Sequence, residues 1–169
     1  MKSFWKSFSG EPANWDEIAS KILETNPKTI YIGSDSQIKG KTVKYITVIA
    51  ILITGDDNVG HGGFGWRKTL FKATHIRKKG NGKIKQISLR ERLTRETWMS
   101  IGVAYEIMSI FKDDIIPNIE IHCDVASNVK MVSNKIAPEI IGLVEGQNFN
   151  CKIKPDCWAS MEVADRFTK

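Results

Sequence analysis

Four carboxylates stand where the surrounding pattern predicts apolar faces. Asp35 comes directly after the β-branched and aromatic run Thr29-Ile-Tyr-Ile-Gly33, and Asp124 closes the alternating run Ile119-Glu-Ile-His-Cys-Asp124. Glu96 falls between Leu93 and Ser100 on the apolar stripe of a helical pattern, and Asp165 sits midway along a last helical segment, Met161-Glu-Val-Ala-Asp-Arg-Phe167. Each acid alone suits a cap, a turn or a solvated helix position. Gathered from two strands and two helices around one sheet, they would bury charge at a cost of several kcal/mol unless a counter-charge joins them. A divalent cation is the simplest counter-charge, and ligands that are all oxygen suit Mg²⁺ or Mn²⁺. A pair of such ions about 3.5–4 Å apart can activate water and stabilise the leaving oxygen in phosphodiester hydrolysis.

The second chemical feature is cationic. The 169 residues carry a formal net charge of +6, yet residues 67–95 alone hold eleven Lys and Arg against the single acid Glu91. The rest of the chain is mildly acidic. Arg77, Lys78, Lys79, Lys83 and Lys85 precede the helix of Glu96, and Arg90, Arg92 and Arg95 decorate its first turns. Positive charge beside a cluster of acids suits contact with a phosphate backbone, so nucleic acid (RNA, DNA or a hybrid) is the expected partner. Trp66, Trp158 and Tyr45 are candidates to stack on bases, with core packing expected for at least two of them.

Other chemistries find little support. Gly60-His-Gly-Gly-Phe-Gly65 lacks the Lys and Ser/Thr of a phosphate loop and does not open a helix, so no organic cofactor is expected. His61, His75 and His122 form no zinc spacing with Cys123, Cys151 and Cys157, and no nucleophile elbow appears. Three cysteines cannot all pair, which favours a reducing compartment and a cytoplasmic protein. The longest apolar run, Ile46 to Ile53, is far short of the ~20 residues of a membrane helix, and no membrane partner is expected.

The elements that must position these groups follow from period and punctuation. Asn14 with Glu17 predicts a capping box before a helix carrying Trp15, Ile18 and Ile22, ended by Pro27. Strands are predicted at Thr29–Gly33 and Thr42–Thr54 around a turn at Lys39-Gly40-Lys41, and a third from Gly63 to Thr74. His75–Gln86, with two glycines and five basic residues, reads as a mobile loop. Ser88-Leu-Arg-Glu91 predicts a second capping box and a long helix through Phe111. Beyond it lie a strand at Ile119–Asp124, a helical pattern from Val129 to Gly146, a strand at Phe149–Lys154 and a helix opened by Ser160. The expectation is an α/β fold with a mixed five-stranded sheet and helices on both faces. Residues 1–27 read as an extension with a short helix, and 28–169 as the domain proper.

The strings IYIGSDSQIKG, GHGGFGWRK, RLTRETWMS, IEIHCDVASN and KPDCWASMEVADRFTK, spread over residues 15 to 169, resemble the YkuK-type family of predicted ribonuclease H-like nucleases. The resemblance implies the ribonuclease H fold and a metal-dependent nuclease that hydrolyses RNA or DNA with two Mg²⁺ or Mn²⁺ ions. It further implies that Asp35 bridges both ions, that Glu96 and Asp124 hold one, and that Asp165 helps to hold the other. Glu91 competes for the helix position but already serves as the third residue of its capping box. The chain departs from the pattern in having no histidine in the loop Pro155–Ala159, where Asp156 is the substitute on offer. The alternative is a nucleic-acid-binding protein that keeps the fold without catalysis.

Overall fold

A computed structural model describes residues 5–54, 60–77, 84–111, 116–126 and 132–169. At its centre β3 (Thr29–Lys39) and β4 (Thr42–Thr54) form an antiparallel hairpin. Gly40 turns the corner at φ +59°, a left-handed conformation that favours glycine. β5 (Gly60–Ala73) continues the antiparallel meander beside β4. On the other side of β3, β8 (Asn118–Cys123) runs parallel to it, and β9 (Asn150–Lys152) runs parallel to β8.

The expected five strands are joined by two more. β1 (Trp5–Ser7) pairs antiparallel with β5, and β2 (Pro12–Ala13) pairs with β1, giving a seven-stranded order β2-β1-β5-β4-β3-β8-β9. Segments of three and two residues are too short to show a period, so alternation could not reveal them. What fixes β1 is burial of Trp5, whose ring meets Trp15 at 6.2 Å between centroids. The stretch expected as a mobile loop also differs: β6 (His75–Arg77) and β7 (Ile84–Gln86) pair as a two-stranded antiparallel ribbon. Residues 78–83 lie outside the described residues.

Helices cover both faces. α1 (Trp15–Thr25) and α2 (Leu89–Met108) open on the expected capping boxes, with Asn14 and Ser88 accepting from the backbone of Glu17 and Glu91 and each glutamate answering in return. α1 stops at Asn26, which takes a positive φ of 45° before Pro27. The expected helical stretch from Val129 resolves into a 3₁₀ turn (Val132–Ile136) and α3 (Ala137–Glu145), its first residues lying outside those described. These helices and the sheet enclose the larger core, to which Ile32, Ile49, Ile101 and Ile121 contribute. Over the opposite face lies a smaller cluster of Ile46, Val48, Ala159 and Ala164. The terminal helix above it begins as a π-helical turn (Ala159–Ala164) and tightens into α4 (Asp165–Thr168).

Candidate active site

Parallel register places Asp35 beside Asp124. β3 and β8 pair from Thr29 with Asn118 up to Ser34 with Cys123, so one further step along each chain brings the two aspartates level, where β8 ends. The carboxyl ends of parallel strands are where open α/β sheets bind their ligands. Side chains alternate along β3, and the odd-numbered ones face the terminal helix. Tyr31 packs on Trp158 with ring centroids 4.9 Å apart, and a Cβ on Gly33 would stand 2.5 Å from the Ser160 nitrogen. Glycine at 33 is therefore what lets the π turn seat directly on the strand. Asp35 comes next on this face, and its Oδ2 accepts from Thr168 Oγ1 at 3.0 Å.

The terminal helix is held at its last residues. Lys44 on β4 donates from Nζ to the carbonyls of Phe167 and Thr168, at 2.5 and 3.4 Å, binding the negative end of the helix. Thr168 and Asp165 thereby lie over Asp35. Burial pushes the Asp35 carboxyl up to about 6, and the like charges of Asp124 and Asp165 add to the rise against the lowering hydrogen bond of Thr168.

Glu96 approaches from the other face. Ser34 and Ser36 point toward α2, where the Ser34 hydroxyl lies 2.8 Å from that of Ser100 and Ser36 Oγ donates to Glu96 Oε1 at 2.5 Å. Arg92, one turn before Glu96, donates from Nη1 to both the carbonyl and the hydroxyl of Ser36, at 2.9 and 3.1 Å. Glu96 is fully enclosed, and burial pushes its pKa up to about 8; repulsion from Asp35 and Asp124 raises it, while Ser36 and Arg92 pull it down. A small cavity with room for about one water molecule lies between Glu96, Thr97, Ser100, Cys123 and Asp124.

Two lysines complete the cluster. Lys154 Nζ stands 2.6 Å from Asp124 Oδ1, and Lys169 Nζ stands 2.5 Å from Asp165 Oδ2. The four carboxylates offer hard oxygen donors whose mutual repulsion a divalent cation would relieve, so in donor type and charge they fit Mg²⁺ or Mn²⁺. Among the described residues, no three His, Cys, Asp or Glu side chains already stand as a chelating group. Asp124 and Asp165 are turned onto lysines, and Glu96 onto Ser36.

The basic residues divide. Arg77 lies on β6 and Lys85 on β7, while Lys78, Lys79 and Lys83 fall outside the described residues. Arg90 pairs with Glu139, Arg95 lies over the Tyr45 ring at 5.7 Å, and Arg92 turns inward onto Ser36. Of the aromatic candidates, Tyr45 and Trp66 are buried, and Trp158 is part-buried against Tyr31 and His122. The exposed tryptophan is Trp98, beside Arg90 and Arg95 on the outer side of α2. His122 is structural: its Nδ1 accepts from the Ala159 backbone at 3.0 Å, and its Nε2 lies 2.9 Å from Glu120 Oε1.

Sequence reasoning missed Ser36, Lys44, Lys154 and Thr168. Ser36 carried a usable signal, since it follows Asp35 in a strand and must face the opposite side. The other three owe their places to the docking of the chain's final segment, which no local spacing encodes.

Acids brought level on two adjacent parallel strands, a helix packed on one face and a terminal helix on the other describe a ribonuclease H-like arrangement, and the chain belongs to that family. The ribonuclease H-like family model matches residues 16–169. The chain is similar to the uncharacterized protein YkuK of Bacillus subtilis (strain 168), at 27% identity over 165 residues that span 88% of this chain and 85% of that one. No solved structure gives a significant match. Among the described residues no helix is long and apolar enough to cross a membrane.

Proposed function

We propose that the protein is a metal-dependent nuclease that hydrolyses phosphodiester bonds in RNA or DNA. The observation that carries this reading is the level placement of Asp35, within β3, and Asp124, just past the end of β8, with Asp165 and Glu96 near enough for their charges to be felt. Asp35, Glu96, Asp124 and Asp165 would hold Mg²⁺ or Mn²⁺, two ions in all, which supply Lewis acidity and charge compensation at the scissile phosphate. The remaining roles belong to the chain itself. Thr168 fixes Oδ2 of Asp35, Ser36 and Arg92 aim Glu96, and Lys44 keeps the terminal helix seated. Apart from Arg92, which faces Ser36, the basic residues of 77–95 would hold the substrate backbone through charge, without reading its bases.

A second reading, a binding protein without catalysis, draws on the lysines that already occupy Asp124 and Asp165. The deciding experiment incubates labelled RNA/DNA hybrid, single-stranded RNA, single-stranded DNA and duplex DNA with Mg²⁺ or Mn²⁺, beside Asp124→Asn. Cleavage by the wild type and none by the variant is expected. Salt-sensitive binding that persists in EDTA, with no product from any substrate, would establish the second reading instead.

A further inference from the structure

Lys154 is the member of the acid cluster to which the nuclease reading gives no role. It lies between β9 and the terminal helix, and its backbone N–H donates to the Val125 carbonyl at 3.1 Å, tying it to the residue that follows Asp124. Its ammonium stands 2.6 Å from Asp124 Oδ1, with Lys154 34% and Asp124 25% exposed. That oxygen is buried, and no aligned hydrogen bond from the described residues reaches it. The ammonium is held there as a charge, on a flexible four-carbon stem.

The neutralisation around the cluster is uneven. Among the described residues Asp124 and Asp165 each have a lysine, whereas Asp35 has the Thr168 hydroxyl and no ion-pair partner. An ion shared by Asp35 and Asp124 would stand beside the carboxylate that Lys154 already neutralises, and two cations that close to one carboxylate repel strongly. A part-exposed ion pair contributes little to folding, so stability alone does not account for a lysine at this place.

We propose that Lys154 is an internal counter-cation that competes with the divalent ion for the Asp124 carboxylate and moves off it when the ion binds. This deepens the nuclease reading and rests on it. Lys154 sets how much metal the site needs before it fills. It acts through Asp124 and is a positioning residue.

The test is Mn²⁺ binding by the full chain, read from the electron paramagnetic resonance signal of free Mn²⁺ with no nucleic acid present. Lys154→Met should bind Mn²⁺ roughly tenfold tighter than the wild type, through loss of one repelling charge. Lys154→Arg should bind as the wild type does, and Asp124→Asn should bind more weakly. Lys154→Gln makes the same comparison should the methionine variant fail to fold by circular dichroism. Unchanged or weaker binding on loss of the lysine charge, with Asp124→Asn still lowering affinity, overturns the proposal and leaves the metal site standing. No Mn²⁺ binding by any of these proteins overturns both.

Discussion

On one face of β3, Asp35 takes a hydrogen bond from Thr168 and feels the charges of Asp124 and Asp165; on the other, one residue along, Ser36 closes on Glu96 beneath α2. The first face is part-exposed and its flanking aspartates are paired with lysines. The second is enclosed beneath α2, apart from the water-sized cavity beside Glu96, and its glutamate is raised to about 8 by burial. A strand that alternates side chains thus divides one set of acids between two solvents. Acids on the wet side can trade one cation for another at little cost, while the acid on the enclosed side stays protonated until a stronger counter-charge arrives.

The most severe way to break this comparison is to neutralise the wet side. Asp35→Asn and Asp124→Asn should each lower cleavage by roughly 10³-fold or more while the melting temperature stays within about 3 °C of the wild type. Full activity in either variant would remove that acid from the site.

Changing the enclosed side should alter stability and its pH dependence together. With Glu96 near 8 in the fold against an ordinary value of 4.5, the folded chain holds a proton that the unfolded chain has released across that interval. The contribution is complete below about pH 4.5 and is lost as pH rises through 8, and Asp35, raised to about 6, acts in the same direction. In EDTA, Glu96→Gln should therefore gain on the wild type as pH rises from 5 to 8, by the order of a few kcal/mol, in urea melts at each pH. A constant difference between the two proteins would show that Glu96 ionises freely.

Gly33→Ala tests whether the two faces depend on close seating of the terminal helix. Its Cβ would meet the backbone of Ala159 and Ser160 at 2.5–2.6 Å, so the π turn must move away. A loss of about 1–3 kcal/mol in urea unfolding is expected, together with weaker cleavage as Asp165 and Thr168 shift. The mildest change is Thr168→Val, which removes the donor to Asp35 at similar volume. About 1 kcal/mol of stability and less than tenfold in rate should go with it.

The split between faces was half visible in the primary structure. Asp35 could be read because it follows an apolar run, Asp124 because it closes one, and Glu96 because it interrupts a helical stripe between Leu93 and Ser100, although β3 continues past Asp35 to Lys39, where the polar residues Ser36, Gln37 and Lys39 hid the strand. Which acid faced which helix could not be read, since that depends on the parity of β3 relative to the layers packed on it. The π turn was hidden for a related reason: nothing in Ala159–Ala164 marks it locally, and Gly33, which accommodates it, lies more than a hundred residues earlier. Arg92 was assigned to phosphate from its charge, yet its guanidinium turns inward because Ser36 offers it two acceptors. Trp98 escaped notice because an exposed tryptophan and a core tryptophan look alike within a helical stretch.

The two short strands at the start of the chain have a bearing on handling. β5 is the longest strand of the sheet, and its outer margin would present open hydrogen-bonding groups together with Phe64 and Trp66 if β1 were missing. Bare strand margins invite neighbouring molecules to add on, and natural sheets blunt them with short segments and proline, as β1 and Pro12 of β2 do here. A truncation that starts at Asn14 removes this guard while leaving every acid of the site in place. Such a shortened chain should precipitate or self-associate at concentrations where the full chain stays dispersed, so loss of soluble yield would precede any loss of chemistry.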